Sequence, residues 1–223
     1  MPQQKSKKIL VYFFLLLIIG TLNNKNLNNT NFTNVEKILI QGLDEKNNFK
    51  LENDLSFLNI NNLFFLKKKR IEEIIKKNNL VENFVVFKKY PSTLDIKIYQ
   101  TTFLAKLQVD NNNYVLGSNG KLIDIVQNDI SLPFIYGDFE IKNFFKLKKA
   151  LEETNFDYQI IKNFFSFKSG RWDIETKNGL LIKLPQKNVE ESLKLFSIFL
   201  KKNNNKKIKK IDLRQHNQII TNG

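Results

Sequence analysis

Very little in this sequence could carry out a reaction. It has one histidine, His216, and no cysteine. A Ser-His-Asp triad or a histidine-bearing zinc site would have to be built on His216. No partner pattern surrounds that residue, which reads as an exposed histidine of the C-terminal tail. The lack of cysteine removes disulfides, thiolate nucleophiles and Cys-based metal sites together. The acidic pairs Glu72-Glu73 and Glu152-Glu153 could in principle exchange protons. Lysines lie close to both pairs, however, so solvated helix faces are the better reading. No Gly-rich phosphate loop and no metal-ligand spacing occurs. The chain is therefore expected to be no enzyme, with no cofactor, no metal and no small-molecule substrate.

The remaining candidates are residues that bind. Arg171-Trp172 joins the two types most often found at interface hot spots; the single Trp reads as core and the role of Arg171 stays open. Residues 208–214 alternate Ile211 and Leu213 with charged neighbours, which is a strand pattern. An edge strand offers unpaired N–H and C=O groups to a partner segment, and Arg214 could then grip a partner carboxylate bidentately. The other reading is that Asp212 and Arg214 form a solvated face of an internal strand, or edge charges that only discourage aggregation.

Elements of ordinary kinds must hold these residues. The 223 residues are 42% hydrophobic and 12% aromatic, enough for a packed core in one or two domains. The net charge of +14 fits either a nucleic-acid or anionic-surface footprint or a compositional bias toward Lys, Asn, Ile and Phe. The lysines are dispersed along the chain, which favours the second, so no nucleic acid is expected as partner.

At the N-terminus, Lys5, Lys7 and Lys8 precede the apolar run Ile9, Leu10, Val11, Tyr12, Phe13, Phe14, Leu15, Leu16, Leu17, Ile18, Ile19 and Gly20. A basic flank before an apolar stretch reads as a membrane signal that keeps the lysines in the cytoplasm. The run is short: through Leu22 it covers roughly 21 Å at 1.5 Å per residue, against about 30 Å of hydrocarbon. A cleaved signal peptide and a buried soluble helix are the alternatives. With no Ala-x-Ala-like cleavage site, the expectation is an uncleaved transmembrane helix, with residues 1–8 as a cytoplasmic tail and 9–27 as anchor and linker.

Beyond it, 35–40 reads as a strand ending at Gly42, 50–58 and 68–78 as helices, and 81–88 and 94–98 as strands. The order is β-α-α-β-β, with both helices on one sheet face. From Phe103 onward strands dominate. A turn at 117–120 joins 114–116 to 122–126. Residues 142–153 read as a helix, and Asn178-Gly179 as a hairpin turn between 171–175 and 180–184. Asn188 with Glu191 opens a further helix. Residues 203–207 are polar, and 208–214 form the last strand.

Several strings in this order resemble the FtsQ/DivIB family of bacterial cell-division proteins. Val35-Glu36-Lys37-Ile38-Leu39-Ile40-Gln41-Gly42 is similar to the opening strand of its POTRA domain, and Asn62-Leu63-Phe64 to the tripeptide before the second POTRA helix. Val81-Glu82-Asn83-Phe84-Val85-Val86-Phe87-Lys88-Lys89-Tyr90-Pro91 and Thr93-Leu94-Asp95-Ile96-Lys97-Ile98 are similar to the two strands that follow. Leu132-Pro133 with Gly137, Arg171-Trp172-Asp173-Ile174 with Gly179, and Ile211-Asp212-Leu213-Arg214 resemble the family's later strings. Departures stand at Gln100, Thr101 and Phe103, where the family has E-R-x-P, and at Gly117 in place of an aspartate.

The resemblance implies an α+β fold: an N-terminal transmembrane helix, a POTRA domain over 32–101 and a β-rich FtsQ-type domain over 102–223. It implies a non-enzymatic divisome scaffold, single-pass in the bacterial inner membrane with periplasmic domains at the division septum. Such a scaffold binds the FtsB–FtsL coiled coil and links early and late cell-division proteins. The partner-binding residues implied are Arg171, Asp212, Leu213, Arg214, Gln215, Asn217 and Ile219 on the β domain, and Lys88 and Tyr90 on the POTRA surface. The alternative is another POTRA-containing protein of envelope assembly or secretion. A nucleic-acid binder would leave the apolar run unexplained, and a cell-wall hydrolase would lack its catalytic groups.

Overall fold

A computed structural model describes residues 3–22, 34–124, 131–202 and 208–222. The linker part of 9–27 beyond Leu22, the polar stretch 203–207 and the continuation of a strand past Asp124 lie outside the described residues. The architecture is α+β, and the chain divides into two compact units, Met1–Gln100 and Thr101–Gly223.

The expected transmembrane helix is corrected by the structure. Helix α1 (Gln3–Leu22) contains the whole run 9–20, but no helix among the described residues is long and apolar enough to cross a membrane. The reason is compositional. Gln3, Gln4, Lys5, Ser6, Lys7 and Lys8 occupy the first turns of α1, so its apolar part falls well short of the ~20 residues a span requires. Residues 9–19 are all exposed.

Within the first unit, residues 34–100 form a three-stranded sheet under two helices. Strand β1 (Lys37–Gln41) lies parallel to β3 (Thr93–Gln100), and β2 (Val81–Lys89) lies antiparallel to β3 on its other side. Helix α2 (Glu45–Leu55) starts earlier than its apolar spacing suggests, because Asp44 caps it: Asn47 donates its backbone N–H to Oδ1 at 2.9 Å and its amide to Oδ2 at 2.7 Å. A 3-10 turn (Ser56–Ile60) follows, and then α3 (Lys68–Lys77). Leu51, Leu55, Ile71 and Ile75 from the helices meet Ile38, Leu94, Ile96 and Ile98 from the sheet in one core. The period of two in β3 buries Leu94, Ile96 and Ile98 and turns Lys97 and Tyr99 outward.

Gly42 ends β1 with φ +114°, and a Cβ there would stand 1.9 Å from the carbonyl oxygen of Ile98. Both the left-handed backbone and the close approach exclude other residues. Gly42→Ala is expected to cost about 3 kcal/mol. The measurement is amide exchange along β3, where protection should fall about 100-fold; unchanged protection would contradict it.

The second unit is a nine-stranded mixed sheet in the order β12-β11-β10-β9-β8-β7-β4-β5-β6. Its strands are β4 (Phe103–Val109), β5 (Asn112–Gly117), β6 (Leu122–Asp124), β7 (Phe134–Tyr136), β8 (Ile161–Ser166), β9 (Trp172–Thr176), β10 (Leu181–Lys183), β11 (Lys210–Asp212) and β12 (Ile220–Asn222). Helices α4 (Ile141–Glu153) and α5 (Val189–Lys202) supply Phe144, Leu147, Leu151, Leu193 and Phe196 to a core that also takes Phe164, Trp172, Ile174, Ile182, Ile211 and Leu213 from the strands. Phe144 meets Phe164 edge to face at 5.5 Å, and Trp172 lies 6.1 Å from Phe144. Trp172 is thus a core residue. The hairpin at Gly179 forms with φ +86° at the glycine.

Candidate functional site

The β-period of two sorts the last strands into two faces. Trp172, Ile174, Ile182, Ile211 and Leu213 pack into the core, so their neighbours one residue away must face the other side. Register then places Asp173 of β9 opposite Lys183 of β10, Lys183 opposite Asp212 of β11, and Asp212 opposite Ile220 of β12. On the far side Asp173 is opposite Phe165 of β8, which is opposite Tyr136 of β7. The result is one row of alternating charge on the face opposite the core, with Asp173 and Asp212 themselves buried. It runs from a stacked Tyr136–Phe165 pair, with centroids 5.3 Å apart, to the sheet edge.

Arg171 and Arg214 flank this row, each two residues from an aspartate of its own chain segment. Arg214 donates from Nε to both oxygens of Asp212, at 2.8 and 3.0 Å, and from Nη2 to Oδ2 at 2.5 Å. Its backbone N–H reaches Oδ1 at 3.1 Å. The guanidinium fork expected to await a partner carboxylate is therefore already occupied within the chain, while the Arg214 side chain keeps 40% of its surface exposed. Arg171 lies over the Phe167 ring at 4.1 Å, with Nε 3.3 Å from Asp173 Oδ1 but without hydrogen-bond alignment.

The two aspartates respond in opposite directions. Hydrogen bonds from Arg214 hold the Asp212 carboxyl below its ordinary value of 3.8, against the opposing effect of burial. Burial pushes Asp173 upward, against the pull of Arg171, Lys183 and Arg214. Asp212 thus contributes stability that is present above its unfolded value and lost as pH falls through the depressed folded one. Asp173 contributes with the reverse sign: its share is present at low pH and lost as pH rises from 3.8 through the raised value. Asp212→Asn is expected to cost about 1–2 kcal/mol at pH 7, modest because Arg214 is partly solvated. It should also flatten the fall in melting temperature on acidification below 3.8. An acid limb identical to the parent's would contradict this.

The other residues singled out from sequence fall in different places. Leu213 is corrected: it is 1% exposed, and its strand parity turns it into the core beside α5, away from any partner. Gln215 and Asn217 are exposed in the turn after β11, with Asn217 in the left-handed region at φ +53°, and Ile219 is half-buried. His216 is exposed beside them. In the first unit, Lys88 Nζ donates to the carbonyls of Phe64 and Leu66 at 3.2 and 2.8 Å, and Tyr90 is exposed.

The strand 208–214 is not the sheet edge, because β12 pairs with β11 outside it. Ile220, Thr221 and Asn222 are all exposed, and with Lys210 and Asp212 they line an open depression. Sequence reading missed β12, Asp173 and Lys183. The β-branched run Ile219-Ile220-Thr221 was the available signal for β12. Asp173 and Lys183 join the row only through register, which no local pattern specifies. Among the described residues, no group of three or more His, Asp or Glu side chains could hold a metal ion.

A family model described as cell division protein FtsQ/DivIB, C-terminal, matches residues 105–214. The cell division protein FtsQ of Rickettsia bellii is 28% identical over 189 residues, covering 82% of this chain and 70% of the relative. That of Rickettsia felis is 29% identical over 192 residues with the same coverage. The cell division protein DivIB of Clostridium botulinum is 29% identical over 123 residues, 55% of this chain and 46% of the relative. Among solved structures, the major extracytoplasmic domain of DivIB from Geobacillus stearothermophilus aligns at 12% identity with a TM-score of 0.33, over 48% of this chain and 98% of that one.

Proposed function

The chain belongs to the FtsQ/DivIB family of cell-division proteins, and from that membership we propose that it is a divisome scaffold that acts by binding and makes or breaks no bond. In this reading the first unit is a POTRA domain that meets upstream cell-division proteins. The second captures a segment of the FtsB–FtsL coiled coil, on the extracytoplasmic side at the septum. The observation that carries the proposal is the exposed edge strand β12 at the end of the nine-stranded sheet. A partner segment added there would complete the ladder through main-chain hydrogen bonds. The row Asp173–Lys183–Asp212 with Arg171 and Arg214 would supply charge complementarity, which fixes register and steers approach.

The test is co-purification of the full chain with FtsB–FtsL before and after Thr221→Pro. Proline removes an N–H from a strand and resists pairing. Capture is expected to fall about 30-fold or more, equivalent to the loss of roughly two main-chain hydrogen bonds. Undiminished capture would remove the edge from the proposal.

A further inference from the structure

Four of the exposed apolar side chains of the first unit outside α1 belong to the segment 60–65 and to the turn after β2. Ile60 is 80% exposed, Phe65 77%, Tyr90 58% and Phe64 53%. Phe64 meets Phe65 edge to face at 5.2 Å, and its ring lies 6.4 Å from Tyr90. This outward display is imposed by the fold. Leu63 and Leu66 on either side are buried in the core, so the two residues between them must point away from it. The segment is further pinned by Val35 N–H to Asn61 C=O at 3.0 Å, by Phe64 N–H to Asn62 Oδ1 at 2.9 Å and by the two bonds from Lys88. Exposed aromatic clusters of this kind mark interaction surfaces.

The charge around the cluster indicates the partner. Between Asn59 and Arg70 there are four basic residues, Lys67 to Arg70, and no acidic one; Lys88 and Lys89 adjoin Tyr90. Lys68, Lys69 and Arg70 occupy the first turn of α3, where no carboxylate and no side-chain cap is found. That is the positive end of the helix dipole, where cations are disfavoured. The helix dipole therefore gives no reason for them, and a basic run set against that local rule is a pointer to function. Arg70 covers the Phe57 ring at 4.4 Å and Lys68 approaches Glu72 at 3.8 Å, while Lys67 and Lys69 are exposed and follow the two rings closely in sequence. Rings at the level of the headgroups with lysines over anionic phosphates is the chemistry of a bilayer-surface contact.

We propose that Phe64, Phe65 and Tyr90, with Lys67 and Lys69, form a tip that docks on the surface of an anionic phospholipid bilayer. The contact is peripheral and requires no span. Asn34, ahead of β1, bridges to Asn62 next to the tip.

The absence of cysteine makes a local test simple. The full chain carrying Phe65→Cys, labelled with the fluorophore NBD, is mixed with vesicles of phosphatidylcholine with or without phosphatidylglycerol. The same label at Asn83→Cys, toward the other end of β2, serves as reference. The label at position 65 is expected to shift to the blue and to escape aqueous quenchers only on the anionic vesicles, with reversal by salt, while the label at 83 stays in water. Lys67→Glu with Lys69→Glu should raise the lipid concentration for half-maximal shift at least about 25-fold, from about fivefold per lysine. Those substitutions favour the α3 dipole, so a loss cannot be assigned to unfolding. A label at 65 that stays in water while the chain sediments with anionic vesicles overturns the proposal. A shift that follows protein concentration without lipid overturns it in favour of a second copy, and a shift that requires FtsB–FtsL overturns it in favour of a protein partner.

Discussion

Phe144→Ala is expected to destabilise the second unit by about 4 kcal/mol, the usual cost of truncating a fully buried Phe. Phe144 is 0% exposed and sits at the crossing of α4 with the sheet, in ring contact with Phe139, Phe164 and Trp172 at 5.5–6.2 Å. Truncation removes apolar area and also leaves a cavity that these fixed rings cannot collapse to fill. For a unit of this size the melting temperature should fall by about 15 °C. Trp172 is the only tryptophan and is 4% exposed, so its fluorescence reports this unit alone. Phe145→Ala, at the half-buried neighbour, should cost much less; equal losses would mean that Phe144 is not the centre of the core.

Arg214→Glu is expected to have the second large effect, on both folding and binding. The substitution removes the fork that satisfies Asp212, itself 8% exposed, and sets a second carboxylate against it. An aspartate left without its cation is costly, by about 1–3 kcal/mol here because Arg214 is partly solvated. Under the proposed reading, capture of FtsB–FtsL should fall more than about 30-fold, the scale for losing one member of an interfacial charge set. The double variant Asp212→Asn with Arg214→Gln separates the two effects. It keeps hydrogen-bonding groups at both positions without charge, so stability should return while capture does not. Recovery of both would reduce Arg214 to a structural role.

How far the sequence could be read depended on how local each signal was. The alternation of Leu94, Ile96 and Ile98, the spacing of Ile71 and Ile75, and the turn at Gly179 are carried by neighbours in the chain, and each appears where its pattern put it. Helix α2 began earlier than its leucines suggested because Asp44, a single capping residue, sets its start. The parallel pairing of β11 with β10 joins segments on either side of α5, and three-residue strands such as β11 and β12 carry too little pattern to announce themselves. For this reason Asp212 and Arg214 were legible as a motif, whereas their mutual pairing and the added outer strand were not. The apolar run after Lys8 gave the right helix and the wrong consequence: its residues are apolar on every face but too few to cross a bilayer.

The central claim is that β12 is the edge onto which a partner strand is added. Backbone hydrogen exchange at Ile220–Asn222, in the full chain with and without FtsB–FtsL, tests it most directly. Amides there are expected to exchange rapidly in the chain alone and to become protected by at least about tenfold in the complex, as an edge strand becomes internal. Unchanged exchange at those three residues in a formed complex would contradict it.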